Sequence, residues 1–185
     1  QRYDTNAGFR NFYSIKLPVI SDTNTLSNSL NYKYFTELYD NNITTASLMV
    51  LTANSVSGEN IKLSERLFVP GYKLRGFENG KIGPKDGNDF IGGNFVSSAN
   101  ITTTLPQILS NYQNLDIVLF FDAANVWGVD YSSSIDDGSA IRSSLGFAVD
   151  WSTAVGPLTF SFAQPLLKEN TDVTETFRFN LGTTF

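Results

Sequence analysis

Cysteine and histidine are both missing from the 185-residue sequence. Without cysteine there is no disulfide and no thiolate metal site. Without histidine the sequence lacks the side chain most often used as a general base near neutral pH, and the commonest metal ligand. These gaps weigh against an enzyme, and no catalytic residue, metal site or cofactor is expected. Basic charge is thin as well: 13 Lys and Arg against 18 Asp and Glu leave a formal net charge of −5, with no Lys/Arg cluster. Nucleic acid, which calls for a concentrated basic face, is not an expected partner. No apolar run approaches the ~18 residues of a membrane-spanning helix. The opening Gln1-Arg2-Tyr3-Asp4 does not read as a signal peptide, so a mature or truncated chain is expected.

What the sequence does contain is alternation. Hydrophobic residues make up 41% and aromatics 14%, yet mean hydropathy is slightly negative, so apolar and polar residues are interleaved. Period-two alternation is the signature of a strand with two unlike faces. It appears at 11–20 (Tyr13, Ile15, Leu17 and Val19 opposite Ser14 and Lys16), 32–38, 43–52, 94–105, 115–127, 141–151, 158–163 and 177–185. The polar stretch 21–28 reads as a connection, and 40–42 (Asp-Asn-Asn) as a tight turn. About eight strands result, several of them 9–11 residues long, with no convincing helix. Connections alternate between short (40–42, 152–156) and long (58–91, 129–140, 166–174).

Strands of that length joined by alternating short turns and long loops fit an antiparallel transmembrane β-barrel. The faces assign themselves. Asp116, Asp122, Arg142, Asp150 and Arg178 suit a wet or plugged lumen, and the opposite Phe, Leu, Val and Ile suit lipid. Tyr13, Tyr32, Tyr34, Trp151 and Phe185 lie towards strand ends on the apolar face, as interfacial girdle residues do. The alternative is a soluble antiparallel sandwich whose apolar faces share a core.

Segment 58–91 is glycine-rich and longer than structureless loops usually are unless they do something. It contains Leu74-Arg75-Gly76-Phe77. A solvated loop arginine is the plain reading of Arg75. Folded back into a barrel lumen, however, its charge would need a carboxylate. Asp122, among Phe120, Phe121, Ala123 and Ala124, is the leading candidate, with Asp116 and Asp150 as the others.

Leu74-Arg75-Gly76-Phe77, Ile82-Gly83-Pro84, Gly92-Gly93-Asn94, Phe120-Phe121-Asp122, Val126-Trp127, Gly156-Pro157-Leu158 and Gln164-Pro165 occur in the order found in the BamA family. The resemblance spans nearly the whole chain and is densest over 65–185. It implies residence in the outer membrane of a Gram-negative bacterium. It further implies the C-terminal half of a sixteen-stranded barrel that folds and inserts outer-membrane proteins. Residues 1–185 would then be barrel wall, with 58–91 a lumen-directed loop. Arg75 would be anchored by Asp122, close backbone approach would fall to Gly76, packing to Phe77, and loop support to Ile82, Gly83 and Pro84. The family's second wall acid falls on Thr102, leaving one wall carboxylate unless Glu78 or another acid substitutes. Phe177, Phe179, Leu181, Gly182 and Phe185 would form a targeting and seam strand, with Gly182 weakening its pairing. Implied partners are membrane lipid, unfolded outer-membrane clients and, for the parent protein, assembly-complex lipoproteins. The alternatives are a translocation barrel of the TamA or two-partner-secretion type and a passive eight-stranded anchor or adhesin barrel. Eight strands closed on themselves would fill their lumen with side chains and exclude the loop.

Overall fold

The structure, a computed structural model, describes residues 7–18, 24–38, 42–105, 114–153 and 156–182. The strands are β1 (Ala7–Lys16), β2 (Thr25–Thr36), β3 (Thr44–Ser55), β4 (Lys85–Asp86), β5 (Asp89–Phe90), β6 (Phe95–Thr104), β7 (Leu115–Trp127), β8 (Arg142–Thr153), β9 (Gly156–Leu167) and β10 (Phe177–Leu181). Helix among the described residues is limited to two single 3₁₀ turns, Leu63–Glu65 and Gly71–Lys73. Eight strands form one sheet in the order β1-β2-β3-β6-β7-β8-β9-β10, and β4-β5 is a separate hairpin. Every pairing is antiparallel. Within the described residues β1 pairs with β2 and β10 with β9, so the wall is open and does not close on itself.

Several boundaries differ from the pattern in the sequence: β1 starts at Ala7 and ends at Lys16 instead of covering 11–20, and β3 runs on to Ser55. Strand β2 begins at Thr25, inside the polar stretch that reads as a connection. Ser27, Asn28 and Ser29 pair there with Ala53, Thr52 and Leu51, because ladder hydrogen bonds use main-chain groups whatever the side chain. Strand β9 continues through Pro165 to Leu167. Proline has no N–H to give the ladder, and the register between β8 and β9 shifts beside it, from Ser144↔Pro165 to Ser143↔Leu167.

The chain leaves β1, β3, β7 and β9 at one end of the sheet, with 56–94, 128–141 and 168–176 described there, and leaves β2, β6 and β8 at the other. On the outer face Phe9, Tyr34, Ile101, Phe121 and Leu145 stand exposed in a row set by the register. Trp127 stacks on Phe95 at the loop end, ring centroids 5.6 Å apart, and Trp151 lies opposite Leu115 at the turn end. Twelve residue steps of strand at a barrel's usual tilt span roughly 28 Å, the thickness of a bilayer's hydrocarbon core. Phe185 lies outside the described residues, as do Val19 and Ile20.

The inner face is not uniformly polar. Met49, Val96, Ala124 and Val126 of the wall bury themselves against Val69, Leu74, Phe77 and Ile82 of the long loop. That apolar layer seats connection 56–94 against the wall.

A loop docked on the barrel wall

The inner-face register places Ser47, Asn100, Asp122, Ser144 and Pro165 side by side across five strands. The motif Leu74-Arg75-Gly76-Phe77 lies over this row. Leu74 and Phe77 are sunk in the apolar layer, which directs Arg75, between them, at the polar part of the wall. Arg75 Nε donates to Asp122 Oδ2 at 2.7 Å and Nη2 to Oδ1 at 2.8 Å. The Arg75 amide adds a third bond to Oδ2 at 3.1 Å, and Asn100 Nδ2 a fourth, to Oδ1, at 2.9 Å. The Arg75 guanidinium carbon lies 3.4 Å from the centre of the Phe120 ring. Ser144 Oγ donates to the Arg75 carbonyl.

Asp122 is fully buried, so its charge depends on those four donors. The side-on pair uses the planar fork of arginine, and the ring face adds a cation–π contact; lysine offers neither the fork nor the stacking plane. Desolvating two charges is costly, so the net stability of such a pair is modest. Removing one partner, however, strands the other charge at about 3–5 kcal/mol.

Gly76 is required for two reasons. Its φ is +91°, and a Cβ would lie 3.1 Å from Ala163 Cβ and 3.2 Å from Ser144 Cβ. The loop backbone thus rests directly on β8 and β9. Ile82 is in the apolar layer. A Cβ on Gly83 would fall 2.3 Å from Val126 Cγ1, and the Pro84 carbonyl accepts from the Ile91 amide at 3.1 Å.

The expected position of the second wall group is corrected by one pair. Thr102 lies opposite Phe120, whereas Asn100 lies opposite Asp122. Side chains two apart share a face, so Thr102 points inward but one step away from the ion pair. Asn100 donates both to Asp122 and to the Lys73 carbonyl, the latter at 2.8 Å. Nor does Glu78 substitute as an acid: its side chain is exposed, and its amide bonds the Val173 carbonyl at 2.9 Å. Asp150 accepts from Thr159 Oγ1 at 2.6 Å and lies opposite Asp116, well along the sheet from Asp122.

Phe177, Phe179 and Leu181 are exposed on the outer face opposite Phe162, Phe160 and Leu158. Phe162–Phe177 and Phe160–Phe179 have ring centroids 5.0 and 5.1 Å apart. Gly182 remains in the ladder, its amide donating to the Pro157 carbonyl at 2.8 Å. Main-chain pairing needs no side chain, and Pro157 occupies the space a Cβ would take, with Cγ at 3.0 Å.

Two further arginines escape a sequence reading. Arg142 pairs with Asp172 at 2.9 Å, the side chains 4% and 0% exposed, and donates to the Ala140 carbonyl at 2.7 Å. Arg66 bonds Asn94 Oδ1 at 3.1 Å, the Ile61 carbonyl at 3.2 Å and the Asp130 carboxylate, with its guanidinium 5.1 Å from the centre of the Tyr131 ring. Burial raises the Asp130 carboxyl, but bonds from the Ile61 amide and Arg66 outweigh it and hold the group below 3.8. Alternation placed Arg142 on the lumen face but named no partner, and nothing local marks Arg66, between Glu65 and Leu67; Asp172 and Asp130 lie 30 and 64 positions further along the chain. Among the described residues no three or more Asp or Glu side chains gather where a metal could sit.

An open antiparallel wall, apolar outside, with a long loop docked on its inner face by a buried arginine–aspartate pair, defines a segment of an outer-membrane β-barrel. The Omp85 superfamily domain matches residues 4–185, and the chain belongs to that superfamily. It is 30% identical over 144 residues to the outer membrane protein assembly factor BamA of Neorickettsia risticii (strain Illinois), covering 75% of this chain and 19% of that protein. With BamA of Neisseria meningitidis serogroup B (strain ATCC BAA-335 / MC58) it shares 32% over 139 residues, covering 60% and 17%. The crystal structure of BamA from Haemophilus ducreyi lacking POTRA domains 1–3 superposes with a TM-score of 0.83 at 29% identity, covering all of this chain and 40% of that one. The chain thus spans under a fifth of the curated relatives' length.

Proposed function

We propose that this chain is the C-terminal wall of a sixteen-stranded outer-membrane barrel that folds and inserts other β-barrel proteins. The bidentate docking of Arg75 on Asp122 carries the reading. It holds 56–94 against the inner wall beside β10, which has five residues in register on β9. In a sixteen-stranded barrel this strand would meet the first at a seam; unpaired main-chain groups are costly in hydrocarbon, so a seam that opens favours pairing with an incoming strand through main-chain hydrogen bonds. The work is conformational and uses no covalent step and no cofactor. Unfolded outer-membrane proteins are the clients, lipid is the surrounding phase, and lipoproteins of the assembly complex act on the full-length protein. The test is insertion of an outer-membrane barrel into liposomes by the full-length protein carrying Arg75→Ala. A severalfold loss of rate is expected, and an unchanged rate would overturn the proposal.

A further inference from the structure

The Arg178 side chain, on the inner side of β10, reaches past its own strand to the docked loop. Nη1 donates to the Gly71 carbonyl at 2.7 Å and Nη2 to the Phe77 carbonyl, while Nε bonds Glu175 Oε2 at 2.8 Å. The two carbonyls lie on either side of Arg75, four residues before it and two after. The fit is close on the loop side: a Cβ on Gly71 would sit 2.9 Å from Nη1. Around this fork the chain segments are joined by main chain. The Glu175 amide bonds the Gly76 carbonyl at 3.0 Å, Glu78 bonds Val173 at 2.9 Å, Val173 bonds Lys81 at 3.0 Å, and Phe77 bridges Thr174. This ribbon runs directly into β10 at Phe177.

We infer that Arg178 is a positioning residue that ties the last strand to the docked loop, so that loosening of β10 and release of the Arg75 motif form one equilibrium. Among the described residues β10 pairs in the sheet with β9 alone, over five residues. So short a ladder gains little, and the three charge-assisted bonds to the loop and Glu175 are therefore a large share of what holds it. The planar fork aims separate N–H groups at the two carbonyls and at Glu175; a lysine ammonium, a point charge on a flexible stem, reproduces only part of that geometry. The loop and the seam are therefore coupled through a named contact, a two-state element that either partner can bias. The tether's role in insertion rests on the assembly proposal.

The experiment is amide hydrogen exchange of the full-length protein in nanodiscs. Arg178→Ala is expected to speed exchange across Phe177–Leu181 about tenfold or more while leaving β7 amides unchanged, the loss of roughly one charged hydrogen bond. Arg178→Lys recovers only part of the protection. Gly71→Ala, which crowds the fork from the loop side, gives an intermediate increase and serves if Arg178→Ala does not fold. Arg75→Ala speeds β10 exchange when Arg178 is present and adds less than about twofold when it is absent. Exchange in Arg178→Ala within a factor of about two of the parent, or independent multiplication of the two effects, would overturn the tether. Client insertion by the same proteins reads the assembly proposal separately. Exchange coupling with unchanged insertion keeps the tether and removes the assembly role, and lost insertion without exchange coupling does the reverse.

Discussion

The ring of Phe120 lies over Gly146 of the neighbouring strand, where a Cβ would come within 2.5 Å of its Cζ. That bare glycine lets the ring lie flat beneath the Arg75 guanidinium. Gly146→Ala is therefore expected to lift Phe120 and press on the Phe162 carbonyl, which a Cβ would approach to 2.1 Å. Overpacking of this kind costs about 1–3 kcal/mol. Thermal unfolding in detergent should show a lowered midpoint, and adding Phe120→Leu should recover only the part due to the ring.

Deleting the wall carboxylate should be worse than exchanging its arginine for lysine. Asp122→Ala leaves the Arg75 guanidinium without its carboxylate, at about 3–5 kcal/mol. Arg75→Lys keeps the charge but loses the fork and the stacking on Phe120, at about 1–3 kcal/mol. Protease nicking within 56–94 measures both, and equal susceptibility of the two variants would contradict the asymmetry.

Asn100 and Thr102 separate cleanly. Asn100→Ala removes donors to Asp122 and to the Lys73 carbonyl, leaving two buried acceptors short by about 1–3 kcal/mol each. Thr102→Ala is expected to stay within about 0.5 kcal/mol of the parent. The reverse order in the same nicking assay would restore Thr102 as the wall partner.

Acid should loosen the Arg66–Asp130 contact. The folded-state Asp130 carboxyl is held below 3.8, so its contribution is present above that ordinary value and fades as pH falls through the lower folded value. Exchange of the Ile61 amide, which bonds Asp130 Oδ2 at 2.7 Å, should accelerate in that window beyond the intrinsic pH trend. Asp130→Asn should remove this acid step, and its persistence in that variant would assign the step elsewhere.

Period-two alternation sufficed for eight strands, their faces and the side bearing the long loops, because the pleat forces successive side chains to opposite faces. It could not locate where β2 starts or β9 stops, since Ser27–Ser29 and Pro165 are held by main-chain pairing that polarity does not report. Arg75 and Asp122 stood out as a loop arginine and a lumen-face carboxylate needing each other. Asn100 did not, because a one-pair slip between β6 and β7 exchanges it for Thr102 and only register decides. Met49, Val96, Ala124 and Val126 sit on the face read as polar. Their apolar character makes sense only once the loop covers them. Arg178 passed for an ordinary lumen residue until its carbonyl partners, about a hundred positions earlier, were placed beside it.

The apolar layer between loop and wall bears on permeation. Where Leu74, Phe77 and Ile82 meet Met49, Val96 and Val126, apolar side chains touch, and ions moving along that side of a closed barrel would have to shed their hydration shells. Docking is therefore expected to restrict conductance along this side as well as to order the loop, and the full-length barrel carrying Arg75→Ala should pass larger currents across a planar bilayer.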